Sequence, residues 1–371
     1  MSVTRSIDAV FVESFAGGSH EAFAEGWLAR SRHRWRRLGL PAERWKWRLR
    51  AGALALAPRL GALDPPPRAV VATSLVDLAH LRALSGLDRR RRPPAFLLYM
   101  HENQLTYPRP PGEPLDRSFA GAHLASWLAA DALAWNSRSH RDAALAATRD
   151  YLEQIPPPRP RGLLRRLRAS RILPPGVDLG VFPAPASRPV GSPPVIAWNH
   201  RWDGDKRPGA FARVLLRLAD KGLDFRLVLL GPVVQVEIAA LALIRERLGD
   251  RILRDGPARS RREYAAWLGR ADIAVSTAGQ ENFGYAAVEA MAAGAVPLFP
   301  RRLSYPELLT PSLRDALLYG TDRELAARLG RWLARPALFA GLRRRVMLCA
   351  RRHDWARRAA ALDRWVGQEA S

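Results

Sequence analysis

Short, unbroken apolar runs separated by longer stretches of helical spacing recur along this chain, and they do so in two series. The first series is DAVFVESF (8–15), AVVATS (69–74), AFLLYM (95–100) and DALAWNS (131–137). The second is PVIAWN (194–199), FRLVLLG (225–231), RILRDG (251–256), ADIAVST (271–277) and AVPLFP (295–300). Runs of strand length that do not alternate with polar residues belong to strands covered on both faces, which is the signature of a parallel sheet between helical layers. Two series in succession therefore predict an α/β chain of two Rossmann-like, doubly wound domains facing a central cleft. A length of 371 residues, too long for one core of ordinary size, points the same way. PAPASRPVGSPP (183–194) has the composition of a linker, so the boundary is expected near Val190. This divides the chain into 1–188, 189–345 and a closing helical segment, 346–371, expected to pack back on the first domain.

Open parallel sheets bind ligands beyond the carboxyl ends of their strands. After the first run comes ESFAGGSH, where Gly17 and Gly18 let a backbone approach a phosphate or sugar, with His20 just beyond. A tight loop would use the same glycines. After the third run, YMHENQLTYP gathers His101, Glu102, Asn103 and Gln104 at one strand end. After PVIAWN, Arg201 and Lys206 are the cations that suit a diphosphate, one by paired hydrogen bonds and one as a compact charge. Asp203 and Asp205 beside them resemble a metal-holding pair, but the flanking cations favour direct neutralisation of phosphate, so no metal is expected. ENFGYAAVE places Glu281 in a loop and Glu289 on the following helix, with the N–H groups of Asn282, Phe283 and Gly284 between them. Carboxylates accept strong hydrogen bonds from sugar hydroxyls, so one can hold a hexose and the other a ribose.

Formal net charge is +24, and of 59 basic residues only Lys46, Lys206 and Lys221 are lysine. A GC-rich genome explains arginine in place of lysine but not the shortage of acids, so a polyanionic partner is expected, either nucleic acid or an anionic membrane surface. Residues 30–50 interleave Arg34, Arg36 and further arginines with Trp35, Trp45 and Trp47. Such a segment suits phosphates and unpaired bases, or equally a solvated helix face over buried tryptophans. No apolar run is long enough to span a membrane, and the opening MSVTRSIDAVFVESF lacks a signal-peptide pattern. With a single cysteine, Cys349, a cytoplasmic location is the expectation.

The E-x7-E element, the Arg/Lys pair and the two-domain layout resemble retaining glycosyltransferases of the GT-B fold, family 4. More narrowly, ESFAGGSH, YMHENQLTYP, AWNSRSH, WNHRWDGDKRP and STAGQENFGYAAVEAMAAGAVPLFPRRLSYPELL resemble the tRNA-queuosine α-mannosyltransferase family, over residues 8 to about 310. The resemblance implies metal-free transfer of mannose from GDP-mannose to queuosine at the wobble position of a tRNA of the tRNA-Asp type. It implies that Arg201 and Lys206 bind the diphosphate, Glu281 the mannose and Glu289 the ribose. It places Gly17 and Gly18 beside the phosphates and His101 near sugar and acceptor. His20, Glu102, Asn103, Gln104, Arg34, Arg36, Trp45 and Trp47 are then expected on the acceptor side. Two other readings stay open: a GT-B glycosyltransferase with a lipid or cell-envelope acceptor, touching the membrane only peripherally, and a noncatalytic RNA-binding protein.

Overall fold

The computed structural model describes residues 6–109, 112–182, 191–233 and 239–370. They form two compact units, one of residues 1–176 with 355–371 and one of residues 177–354. The linker composition at 183–194 predicts a boundary near Val190, but the units part at Gly176/Val177, because Val177 bridges to Asp354 and so belongs to the second unit. Residues 183–190 lie outside the described residues.

The strands of the first unit are β1 Asp8–Ala16, β2 Arg34–Pro41, β3 Ala69–Thr73, β4 Ala95–Met100, β5 Ala132–Trp135 and β6 Arg171–Ile172. They lie parallel in the order β2-β1-β3-β4-β5-β6. Alternate residues of β1 enter opposite faces. Val10 and Val12 join Leu56, Leu60, Leu81 and Trp127 on one side, and Ala9 and Phe11 join Phe23, Trp27, Leu362 and Trp365 on the other. The second face is thus closed by the helix Gly18–Leu28 together with the final helix, Trp355–Glu369. Trp355 is wedged there between two glycines: a Cβ on Gly26 would come within 2.1 Å of its indole nitrogen, and one on Gly176 within 2.1 Å of its ring.

The second unit contains β7 Val195–Trp198, β8 Arg226–Leu229, β9 Ile252–Asp255, β10 Ile273–Val275, β11 Val296–Pro300 and β12 Leu318–Tyr319. Its parallel order is β12-β11-β10-β7-β8-β9. Numbered from β7, this is the 3-2-1-4-5-6 order of dinucleotide-binding sheets, whose direction of winding reverses between β7 and β10. In the first unit the reversal falls between β1 and β3. Loops that leave neighbouring strands in opposite directions open a crevice at these points, so the topology itself marks the loops after β1, β7 and β10.

Every apolar run of the two series forms a strand. β2 does not belong to them: RWRRLGLP buries only Leu38 and carries its arginines along an open sheet edge, where charge discourages pairing with another chain. Its polarity hides it from a search for apolar runs. Two-residue strands such as β6 and β12 are too short to leave a pattern.

Candidate functional site

In the second unit the loops after β7 and β10 are joined by hydrogen bonds to the backbone carbonyls of the first. Gly279 N–H donates to Asp205 O at 2.7 Å, and Thr277 Oγ1 donates to Lys206 O at 2.8 Å. Lys206, almost buried, sits across the seam. Its Nζ donates to Gln280 O at 2.8 Å and lies 3.1 Å from Asp205 Oδ2 and 3.4 Å from Glu281 Oε2. Burial alone would lower its pKa, but the charges of Glu281 and Asp205 outweigh that and raise it, so the ammonium stays charged. Lys206 therefore fixes Glu281 as well as adding charge. Arg201 lies on the outer side, 3.5 Å from Asp203 Oδ2 and 3.8 Å from Asp205 Oδ2, with its side chain 45% exposed and accessible to an anion.

Glu289 lies on the helix Tyr285–Ala292, which starts after Gly284 in the left-handed region (φ 97°). Both its oxygens are engaged: Tyr264 Oη donates to Oε2 at 2.7 Å, and Arg261 pairs with Oε1 at 2.7 Å. Asn199 Nδ2, just past β7, donates to Tyr264 Oη at 3.0 Å and to Ala286 O at 2.8 Å, tying this network to the first loop. Burial, reinforced by Glu289, pushes the Tyr264 hydroxyl well above its ordinary value, so it remains a donor. A carboxylate held this way keeps lone pairs for the hydroxyls of a sugar. Between the glutamates, Asn282 Oδ1 accepts from Gln280 Nε2 at 3.0 Å, while the Phe283 ring is buried against Tyr285 and His353. What Phe283 and Gly284 can offer a ligand is backbone.

The first unit gathers a second polar cluster at its own reversal point. Glu13, fully buried at the end of β1, accepts from His20 Nδ1–H at 2.8 Å and from Phe15 N–H at 2.8 Å. The His20 ring lies 4.4 Å from that of His101, which follows β4. Burial lowers the His20 pKa, but Glu13, with help from Glu102, more than reverses this and raises it. His101 is driven well below the ordinary range by burial and by the charges of His20 and His140. Two adjacent imidazoles are thus pushed apart in basicity, one towards the cation and one held neutral. His140, its pKa lowered by burial to about 3, donates from Nδ1 to Asn136 Oδ1 at 2.8 Å and accepts from Asn103 Nδ2 at 2.9 Å. Asn136 Nδ2 in turn donates to His101 O at 2.8 Å, so Asn103 belongs to the chain that holds His101.

Glu102 and Gln104 stand beside His101, with Glu102 N–H donating to Ser74 Oγ at 3.3 Å at the end of β3. Gly18 has φ 56° and open space around it, whereas Gly17 is small for packing: a Cβ there would meet Ala42 Cβ at 2.4 Å. Of the basic segment, Arg34 pairs with Asp8 at 2.7 Å, Arg36 donates to the carbonyls of Asp64 and Pro65, and Trp45 packs on Phe119 at 5.4 Å. Trp47 remains 65% exposed. Glu13, Asn199, Arg261 and Tyr264 carry no spacing signal; Glu13, inside ESFAGGSH and seven residues before His20, and Asn199, inside WNHRWDGDKRP, stand in stretches that sequence singles out, and Arg261 and Tyr264 do not. Among the described residues, no group of three or more His, Cys, Asp or Glu is arranged to hold a metal, and no helix is long and apolar enough to cross a membrane.

Comparison with known proteins agrees with this layout. Residues 8–177 match the family model "tRNA-queuosine alpha-mannosyltransferase N-terminal", and residues 207–364 match "Glycosyl transferase-like". The tRNA-queuosine alpha-mannosyltransferase of Drosophila melanogaster is 29% identical over 341 residues, which cover 89% of this chain and 88% of that protein. Among solved structures, sucrose-phosphate synthase from Thermosynechococcus elongatus superposes with a TM-score of 0.70 at 16% identity, covering 97% of this chain and 98% of that one. The trehalose-6-phosphate phosphatase N-terminal domain of Candida albicans gives 0.75 at 11%, covering 100% and 98%. At these identities the structural likeness speaks for the fold, which is GT-B.

Proposed function

The chain belongs to the tRNA-queuosine α-mannosyltransferase family and is a glycosyltransferase; from that premise we propose that it moves mannose from GDP-mannose to the queuosine nucleoside at the wobble position of a tRNA of the tRNA-Asp type. The observation that carries this reading is the pairing of two features. One is the family match across the unit that holds the Glu13–His20–His101 cluster. The other is a second unit whose winding reversal joins Lys206, Glu281 and Glu289.

In this reading the second unit takes the donor. Arg201 meets the diphosphate from the open side, Lys206 adds charge from below while holding Glu281, Glu281 accepts from the mannose hydroxyls and Glu289 from the ribose. The N–H groups at 282–284 add donors for phosphate oxygens. Because these cations neutralise the diphosphate themselves, no metal is required. Transfer with retention has the acceptor hydroxyl attack the face from which the nucleotide leaves, and the departing phosphate takes its proton. Charge grows on that phosphate during the step, so fixed cations there lower the barrier by roughly 3–4 kcal/mol. The neutral His101 imidazole, with Glu102 and Gln104, orients sugar and acceptor. Trp47 offers a flat face to an unpaired base of the anticodon loop.

The test is incubation of the purified chain with GDP-mannose and bulk tRNA containing queuosine, followed by digestion and nucleoside mass analysis. The queuosine peak is expected to give way to a hexosylated one. An unchanged peak, or label moving to added anionic lipid vesicles instead, would reject the tRNA acceptor.

A further inference from the structure

A cavity of about 300 Å³ opens on the first unit where the end of the helix Gly18–Leu28 meets the final helix, and Arg30, Arg32 and Arg364 line it together with Asp363. Its floor is built rather than incidental. Asp363, 3% exposed, accepts from Trp27 Nε1 at 2.8 Å and Ser31 Oγ at 2.6 Å on one oxygen, and from Arg32 N–H at 2.9 Å on the other. His33 Nε2 donates to the Asp363 carbonyl at 2.9 Å, and Trp35 Nε1 donates to Ser31 Oγ at 2.7 Å. The loop that carries Arg30 and Arg32 is therefore pinned to the helix that carries Arg364 by a buried carboxylate already occupied by other donors. Three arginines thus line the cavity with this one acid. Among the described residues Arg32 and Arg364 have no ion pair and no side-chain hydrogen bond.

Arginines gathered in a rigid concave site and left with surplus charge bind an oxyanion bearing several acceptor oxygens, above all a phosphate. We infer that this pocket grips a backbone phosphate of the tRNA acceptor. The inference rests on the proposed tRNA acceptor and adds a docking point to it. The helix Gly18–Leu28 links the two places: its first turn carries His20 at the polar cluster, and its last leads to Arg30, about 15 Å away at 1.5 Å per residue. A polynucleotide with one nucleoside at the His20 end has a stem long enough to reach the other. A contact there adds affinity and register without touching the reacting atoms.

The test uses the full chain with both arginines neutralised, R32Q/R364Q, beside R32K/R364K, and titrates labelled queuosine-containing tRNA over a series of salt concentrations. Losing one phosphate contact is expected to weaken binding on the order of tenfold at about 0.1 M salt and to reduce the slope of log Kd against log salt by about one. The lysine pair should keep most of the affinity. Turnover of free queuosine nucleoside should be unchanged while kcat/KM for tRNA falls, which a folding defect would not produce. The inference is overturned if R32Q/R364Q binds tRNA with unaltered Kd and slope. It is equally overturned if the variant loses only binding of inorganic phosphate, or of phosphatidylserine vesicles, with tRNA binding intact. If the parent chain itself neither binds nor glycosylates tRNA, the acceptor reading falls and takes this pocket with it. If the parent glycosylates tRNA and the variant matches it, the pocket alone is wrong.

Discussion

Replacing Lys206 with methionine keeps most of the aliphatic stem and removes one charge, and the second unit should respond in both stability and turnover. The side chain is 11% exposed and faces carboxylates that are 9% exposed on Asp205 and 17% on Glu281, so all three groups are largely out of water. Removing one partner of a buried ionic cluster typically costs about 3–5 kcal/mol, because the remaining charge is left uncompensated. The orphaned carbonyl of Gln280 falls within the same loss, since the groups share one network. Because the folded-state pKa of Lys206 is raised, its contribution is fully present below its unfolded value of about 10.5 and is lost as pH climbs through the folded one. The gap between parent and variant should therefore hold through neutral pH and narrow on the alkaline side. Turnover should fall about a hundredfold, the effect of removing one fixed charge from a developing oxyanion. Urea unfolding followed by tryptophan fluorescence, to which the buried Trp198 and Trp202 of this unit contribute, reads the first quantity, and steady-state transfer reads the second. A variant within about 1 kcal/mol of the parent and within about threefold in kcat/KM would show that Lys206 neither organises the seam nor serves the diphosphate.

Three further outcomes are expected. Gly26→Ala drives a methyl into the Trp355 ring and should destabilise the first unit by about 1–3 kcal/mol, with the loss seen in its unfolding midpoint; an unchanged midpoint would contradict the wedged packing. Burial lowers His123 to about 4 and His140 to about 3 in the first unit, and His200 to about 3 in the second. The stability these neutral rings contribute is present above their unfolded value of about 6.5 and lost as pH falls below it, at about 1.4 kcal/mol per pH unit for each. His101, also held well below that value, adds to His123 and His140, so between pH 6 and 5 the first unit should lose stability more steeply than the second; His20, shifted the other way, does not offset this, since it is protonated in both states there. Equal slopes in urea titrations at several pH values would speak against it. Trp47→Ala should leave the fold intact, since the ring is 65% exposed, but weaken tRNA binding by about 1–3 kcal/mol as a stacked base is lost, with turnover of the free nucleoside unchanged; equal binding would remove Trp47 from the interface.

The two sheets are legible in the chain because parallel strands covered on both faces need runs such as AVVAT and VPLFP, which few other structures tolerate. The Glu281 and Glu289 arrangement is legible for a related reason: one strand, one turn and one short helix fix where both side chains go. Strand β2 is not legible, since an edge strand is shaped by what it must avoid and its arginines imitate a solvated run. Nor is the network around Glu289, where Arg261 and Tyr264 from one helix and Asn199 from the loop after β7 meet only through the β7–β10 order. The break at Gly176/Val177 is invisible to composition for the same reason. It is set by the β-bridge of Val177 to Asp354, a contact between distant parts of the chain.

The most direct measurement is a structure of the chain determined with GDP-mannose bound. The diphosphate should lie within hydrogen-bond reach of Arg201 and Lys206, with the mannose hydroxyls on Glu281 and the ribose on Glu289. Density for the nucleotide elsewhere, with Glu281 and Glu289 making the same contacts as before and no new ones, would contradict the assignment of this site.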